Sequence, residues 1–166
     1  MILVDIDGTI AQTGEYLYEK YGIPLEVYPA PLPAEFWAGP RGLEVFMNVE
    51  PMRFAAEALS VWGEDVIYAT MRPMQAEFVT RRWLEKHGFP KGRLVFCKDL
   101  NEKCVIARKF GAFFIIEDDP GAPKVFKSGE FNDQVLFLIK RPYNARSRAI
   151  FVSWERLLKG AEGCSN

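Results

Sequence analysis

Histidine is nearly missing from this chain: His87 is the single one among 166 residues. That argues against a Ser-His-Asp triad and against zinc sites built from several histidines. His87 itself precedes Gly88, where it reads as the end of a helix and where a cation would suit the helix dipole. Cysteine is scarce too. Cys97, Cys104 and Cys164 make an odd count without C-x-x-C spacing, so they read as reduced thiols rather than a zinc site or disulfide framework. No apolar run reaches the ~18–20 residues that span a bilayer. There is no excess of either charge, with 21 Lys and Arg against 22 Asp and Glu and a formal net charge of −1. A general nucleic-acid or membrane-surface binder shows a basic surplus, so neither stable nucleic-acid binding nor membrane association is expected. The G-x-x-x-x-G-K-[ST] and G-x-G-x-x-G loops are lacking, so any nucleotide is expected as substrate rather than as energy cofactor. No secretory leader is visible at the start, and the expected location is the cytoplasm.

What is present begins at the first residue. Ile2–Ile6 is β-branched and apolar, as suits a strand buried on both faces, and it carries Asp5 and Asp7 at i, i+2. In a strand that spacing puts both carboxylates on one face. Further strands are predicted at Asp65–Ala69, Leu94–Cys97, Phe113–Ile116 and Val135–Ile139. Helices are predicted at Pro51–Trp62, Met74–His87, Asn101–Phe110, Ala122–Ser128 and Trp154–Lys159, the last capped by Ser153. The alternation predicts an α/β fold: a Rossmann-like three-layer α/β/α domain with a mainly parallel sheet. Residues 11–49 exceed what a strand-to-helix loop needs and are rich in aromatics and proline. They are read as a small cap, with a short helix at Glu15–Tyr21, inserted into a core of residues 1–10 and 50–166.

Ligands of such sheets sit beyond the carboxyl ends of the strands. Four ends carry polar groups there: Asp5 and Asp7, Thr70, Lys103 at a helix start, and Glu117-Asp118-Asp119. Each type has a task in phosphoryl transfer. A carboxylate can attack phosphorus, a neighbouring carboxyl can move the proton, and a hydroxyl and an ammonium can hold the phosphoryl oxygens. A further acidic cluster completes an oxygen-only site suited to Mg²⁺.

Asp5-Ile6-Asp7-Gly8-Thr9, Thr70, Lys103 and Glu117-Asp118 resemble, in order, the four motifs of the haloacid dehalogenase-like (HAD) superfamily. The resemblance implies a phosphatase in which Asp5 is the nucleophile and Asp7 the acid/base. It implies that Thr70 and Lys103 bind phosphate, and that Asp5, the Asp7 backbone carbonyl and Asp118 hold Mg²⁺. Glu117 or Asp119 would support the metal ligands. An acid role requires Asp7 to be protonated near neutral pH, hence a raised pKa. Within the superfamily the chain looks most like 5′(3′)-deoxyribonucleotidase-like proteins, through Ala69-Thr70-Met71-Arg72-Pro73, Arg141-Pro142-Tyr143-Asn144 and Val152-Ser153-Trp154-Glu155. The expected substrate is then a nucleoside monophosphate; Phe36, Trp37 and Phe46 either stack its base or pack within the cap, and Arg72 is either a turn residue or one that reaches the phosphate or the cap. Polynucleotide 3′-phosphate ends and small sugar phosphates are alternative substrates. A phosphoacceptor module without turnover is the alternative of another class.

Overall fold

The computed structural model describes residues 1–62, 65–127 and 134–163. Six strands, β1 (Ile2–Val4), β2 (Val66–Thr70), β3 (Arg93–Phe96), β4 (Phe114–Glu117), β5 (Val135–Ile139) and β6 (Ile150–Val152), form one sheet in the order β3-β2-β1-β4-β5-β6. All pairings are parallel, and β1 lies between β2 and β4 with Leu3 opposite both Ile67 and Ile115. The strand order reverses between β1 and β4, which makes their carboxyl ends the topological switch point where open α/β sheets bind ligands.

Side-chain alternation builds the layers. Ile2 and Val4 face the layer of α4 (Ala55–Trp62), α5 (Glu77–Lys86) and α8 (Trp154–Gly163). Leu3 faces the layer of α6 (Leu100–Lys109) and α7 (Ala122–Lys127). Strand β1 is paired on both sides and buried on both faces, where each aliphatic side chain contributes roughly 1.5–3 kcal/mol. The result is the expected Rossmann-like three-layer α/β fold. Among the described residues no helix is long and apolar enough to cross a membrane.

The boundaries differ from expectation where backbone chemistry intervenes. Strand β1 stops at Val4 rather than Ile6, because the chain turns there. Helix α4 starts at Ala55, after Phe54 takes a left-handed φ of 67°. Pro73 opens a single 3₁₀ turn at Met74–Ala76, and α5 follows it. The short β6 was not foreseen. Ser153 caps α8 as expected, its Oγ accepting the Arg156 N–H at 3.2 Å. Ser128 and Cys164 lie outside the described residues. Cys97 and Cys104 are free and buried, and burial pushes the Cys97 thiol up to about 11.

The inserted segment folds as α1 (Thr13–Tyr21), α2 (Ala34–Ala38) and α3 (Pro40–Asn48) around its own apolar cluster, which includes Leu17, Val45 and Phe46. Gly42 lets α3 pass close to α2, since a Cβ there would stand 2.5 Å from the Trp37 Cα. The cluster continues onto Ala76, just before α5, and Val79 within it. The segment is fastened at both ends. Gln12 donates to the Pro51 carbonyl at 2.8 Å, Glu15 pairs with Arg141 at 2.5 Å, and Trp83 Nε1 donates to the Val49 carbonyl at 2.7 Å.

Candidate active site

Beyond β1 the Ile6 carbonyl accepts the N–H groups of Thr9, Ile10 and Ala11 at 3.3, 2.9 and 2.9 Å. This tight turn takes Asp7 out of strand geometry, so the two-residue spacing no longer explains where its carboxylate points. Gly8 is required here. It has φ +82°, and a Cβ would lie 2.2 Å from Asp118 Oδ2 and 2.6 Å from the Tyr143 hydroxyl.

Asp5, Lys103, Glu117 and Asp118 meet at the switch point, all 5% exposed or less. Lys103 Nζ donates to Asp5 Oδ1 and, at 2.5 Å, to Glu117 Oε1. The other Glu117 oxygen accepts the backbone N–H groups of Asp118 and Asp119 at 2.8 and 2.9 Å. Asp118 accepts from Thr9 Oγ1 at 2.7 Å and from the Tyr143 hydroxyl. Asn144 donates to the Asp118 and Ile139 carbonyls at 2.7 and 2.9 Å and fixes the loop after β5 against this strand end. Burial raises the Asp5 carboxyl well above its usual range; Lys103 opposes this, while Glu117, Asp118 and Asp7 add to it. Burial and then Glu117 push Asp118 up to about 7, against the Thr9 and Tyr143 hydrogen bonds. Burial disfavours charge on Lys103, but Asp5 and Glu117 outweigh it and keep the ammonium protonated.

Asp7 contradicts the expectation of a raised pKa. Arg72 grips its carboxylate with two bonds of 2.8 Å, from Nε to Oδ2 and from a terminal nitrogen to Oδ1, and Thr13 donates to it at 2.6 Å. Burial pushes the Asp7 carboxyl up, but Arg72 and Thr13 together bring it below the usual carboxylate value. Asp7 therefore rests as a carboxylate. Arg72 reaches it from the turn after β2, with its guanidinium 4.3 Å from the centre of the Phe46 ring and a further bond of 3.1 Å to Thr80. Arg72 is thus a partner of Asp7, and it also meets the inserted segment through Phe46.

A cavity of about 380 Å³ opens over the cluster. Asp5, Asp7, Arg72, Lys103, Glu117 and Asp118 line its floor. Trp37 and Phe46 line its wall, but Phe36 does not; it packs edge-on against Tyr21 and Trp37 inside the insertion. Phe46 is enclosed by Trp37, stacked at 5.6 Å, and by the Arg72 guanidinium, so it offers no free face for a base. Thr70 is fully buried, accepts the Arg72 backbone N–H at 3.1 Å and lies outside the cavity lining, unlike the phosphate contact expected of it. Asp119 turns away to accept from Gly121 N–H at 2.7 Å and from the Tyr28 hydroxyl at 2.6 Å. Sequence reading assigned no site role to Tyr28, which stacks on Tyr143 at 4.7 Å, or to Thr13. Nothing local marks them: Tyr28 is one aromatic among many in the insertion, and Thr13 opens an ordinary helix.

One oxygen each from Asp5, Glu117 and Asp118 lie within 4.8 Å of one another. When ionised, three carboxylates against one ammonium leave a surplus of negative charge that a divalent cation would offset. Oxygen-only donors suit a hard ion such as Mg²⁺. Glu117 spends both oxygens on Lys103 and two amides, and Asp118 spends both on the Thr9 and Tyr143 hydroxyls, whereas Lys103 takes only one oxygen of Asp5. The Asp7 side chain is not part of this cluster, so a ligand role for Asp7 falls to its backbone carbonyl. Compared with family models and with curated proteins, the chain matches none.

Proposed function

We propose that this chain is a HAD-type phosphomonoester hydrolase that works through an aspartyl-phosphate on Asp5. The observation that carries this reading is the meeting of Asp5, Lys103, Glu117 and Asp118 on the floor of one cavity at the switch point. In the first half-reaction an Asp5 oxygen attacks phosphorus in line, the bond from phosphorus to the alcohol oxygen breaks, and the alcohol leaves with a proton. In the second, water attacks the aspartyl-phosphate, phosphate leaves and the Asp5 carboxylate is restored. Lys103 supplies positive charge beside Asp5 as the phosphoryl oxygens gain negative charge. Mg²⁺ held by Asp5 and Asp118 would screen the anionic nucleophile from the anionic substrate.

Asp7 takes the proton of the attacking water; because it rests as a carboxylate, the proton it gives to the leaving alcohol is one it takes up from solvent before the first half-reaction. Its carboxylate resting state suits the base half of that cycle, and Arg72 opposes the acid half. A nucleoside monophosphate is a second reading of the substrate, favoured by the Trp37 ring in the cavity wall.

The test is phosphate release from a panel of monophosphates. Asp5→Asn and a chelator should each abolish it, the substitution by about 1,000-fold or more, with circular dichroism unchanged. Release that persists in Asp5→Asn would refute the nucleophile.

A further inference from the structure

The part of the cavity that faces away from the acidic floor is apolar. The inserted segment supplies Leu17, Ile23, Leu25, Val27 and Trp37 to it, and Met71 closes the side toward β2. Apart from the Trp37 indole N–H, the polar side chains in the lining are engaged near the floor. Thr13 and Arg72 bond Asp7, Tyr28 bonds Asp119, Tyr143 bonds Asp118, and Lys103 bonds Asp5 and Glu117. A nucleobase edge or a sugar hydroxyl placed in the upper cavity would lose its water and, among the side chains of the described residues, find the Trp37 indole N–H and little else to pair with. Such a group costs roughly 1–3 kcal/mol when left unpaired. An apolar group there would gain from leaving water. The cavity volume, about 380 Å³, is at the small end of the ~300–1,000 Å³ that small-molecule pockets span.

We infer that the leaving group of the substrate is a compact apolar or aromatic alcohol, so that the natural substrate class is the monophosphate of such an alcohol rather than a nucleotide or sugar phosphate. The inference rests on the phosphatase reading above for the reaction, and on the wall of the cavity for the alcohol.

The experiment has a kinetic arm and a binding arm. With Mg²⁺ present, kcat/KM is measured for benzyl phosphate, dimethylallyl monophosphate, nucleoside 5′-monophosphates and glucose 6-phosphate. All are esters of alcohols, chosen to limit differences in leaving-group reactivity. Separately, binding of benzylphosphonate and 2-hydroxyethylphosphonate, which are not hydrolysed, is titrated by calorimetry. The apolar esters should exceed the nucleotides by about tenfold or more in kcat/KM, and benzylphosphonate should bind about tenfold tighter than its polar counterpart. Val27→Asp puts a charge into the apolar wall at a position already 41% exposed, where the fold tolerates it. It should remove most of the benzylphosphonate preference. Preference for nucleotides or sugar phosphates, or equal binding of the two phosphonates, overturns the inference. If no ester is turned over while the benzylphosphonate preference persists, the phosphatase reading fails and the apolar specificity of the cavity stands.

Discussion

Arg72→Met is the sharpest perturbation of the site. Methionine keeps a flexible apolar stem beside Phe46 and Trp83, whose rings lie 4.3 and 5.9 Å from the guanidinium carbon. It removes both bonds to Asp7 and the bond to Thr80. Breaking a buried ion pair from one side costs about 3–5 kcal/mol. The Arg72 side chain is 1% exposed but that of Asp7 is 29% exposed, so water recovers part of the loss. We expect about 2–3 kcal/mol, set by the charge left on Asp7. For a domain of this size that lowers Tm by about 5–10 °C. Asp7→Asn should cost a similar amount, because it leaves the guanidinium buried without a carboxylate. The double variant, which buries neither charge, should be more stable than the sum of the single effects by about 1 kcal/mol or more. Urea unfolding of all four proteins reads the coupling. Effects that add to within about 0.5 kcal/mol would show that Arg72 does not hold Asp7, and the carboxylate resting state assigned to Asp7 would lose its basis.

Two further outcomes follow from single positions. Gly8→Ala should destabilise the fold and suppress phosphate release together, since its Cβ would collide with the Asp118 carboxylate and the φ of +82° is strained for alanine; a melt and a rate as good as the parent's would count against the close approach. His87 has its pKa lowered chiefly by burial, with Lys86 adding to this and Glu50 opposing, and its Nε2 is buried without a hydrogen-bond partner among the described residues. Below pH 6.5 the unfolded chain therefore binds a proton that the folded chain resists, and stability falls as pH drops through that window. His87→Gln should flatten this part of the stability curve, and identical pH slopes in the two proteins would refute it.

The sheet was legible because buried parallel strands are short apolar runs that few other structures produce, and β1, β2, β4 and β5 lie where those runs are. The acidic floor was legible for a related reason: charges at the ends of such strands need a use. His87 does end its helix before a glycine at φ +70°, but burial and the neighbouring Lys86 work against the cation expected there. The partners of Asp7 were hidden by distance along the chain. Arg72 is 65 residues away, and its grip depends on the turn that carries Asp7 out of the strand. The aromatic residues left two readings open, stacking a base and packing within the insertion. Phe36 and Phe46 are the right residue types for stacking a base, but composition does not say which faces are already covered. Residues 22–33 carry no regular pattern, so their part in the wall appears only in the fold.

The fastening of the insertion also bears on how new specificities arise in such a scaffold. Between its anchored ends, the stretch from Ile23 to Ala30 contributes much of the apolar wall, whereas the charged floor comes from the strand ends and the turns and helices next to them. The apolar wall and the charged floor thus come from separate stretches of the chain. On the phosphatase reading proposed above, substitutions in that loop would alter the pocket for the alcohol while the charge balance of the floor stays as it is. In the floor itself, a change at Asp5, Lys103, Glu117 or Asp118 alters the surroundings of all the others at once.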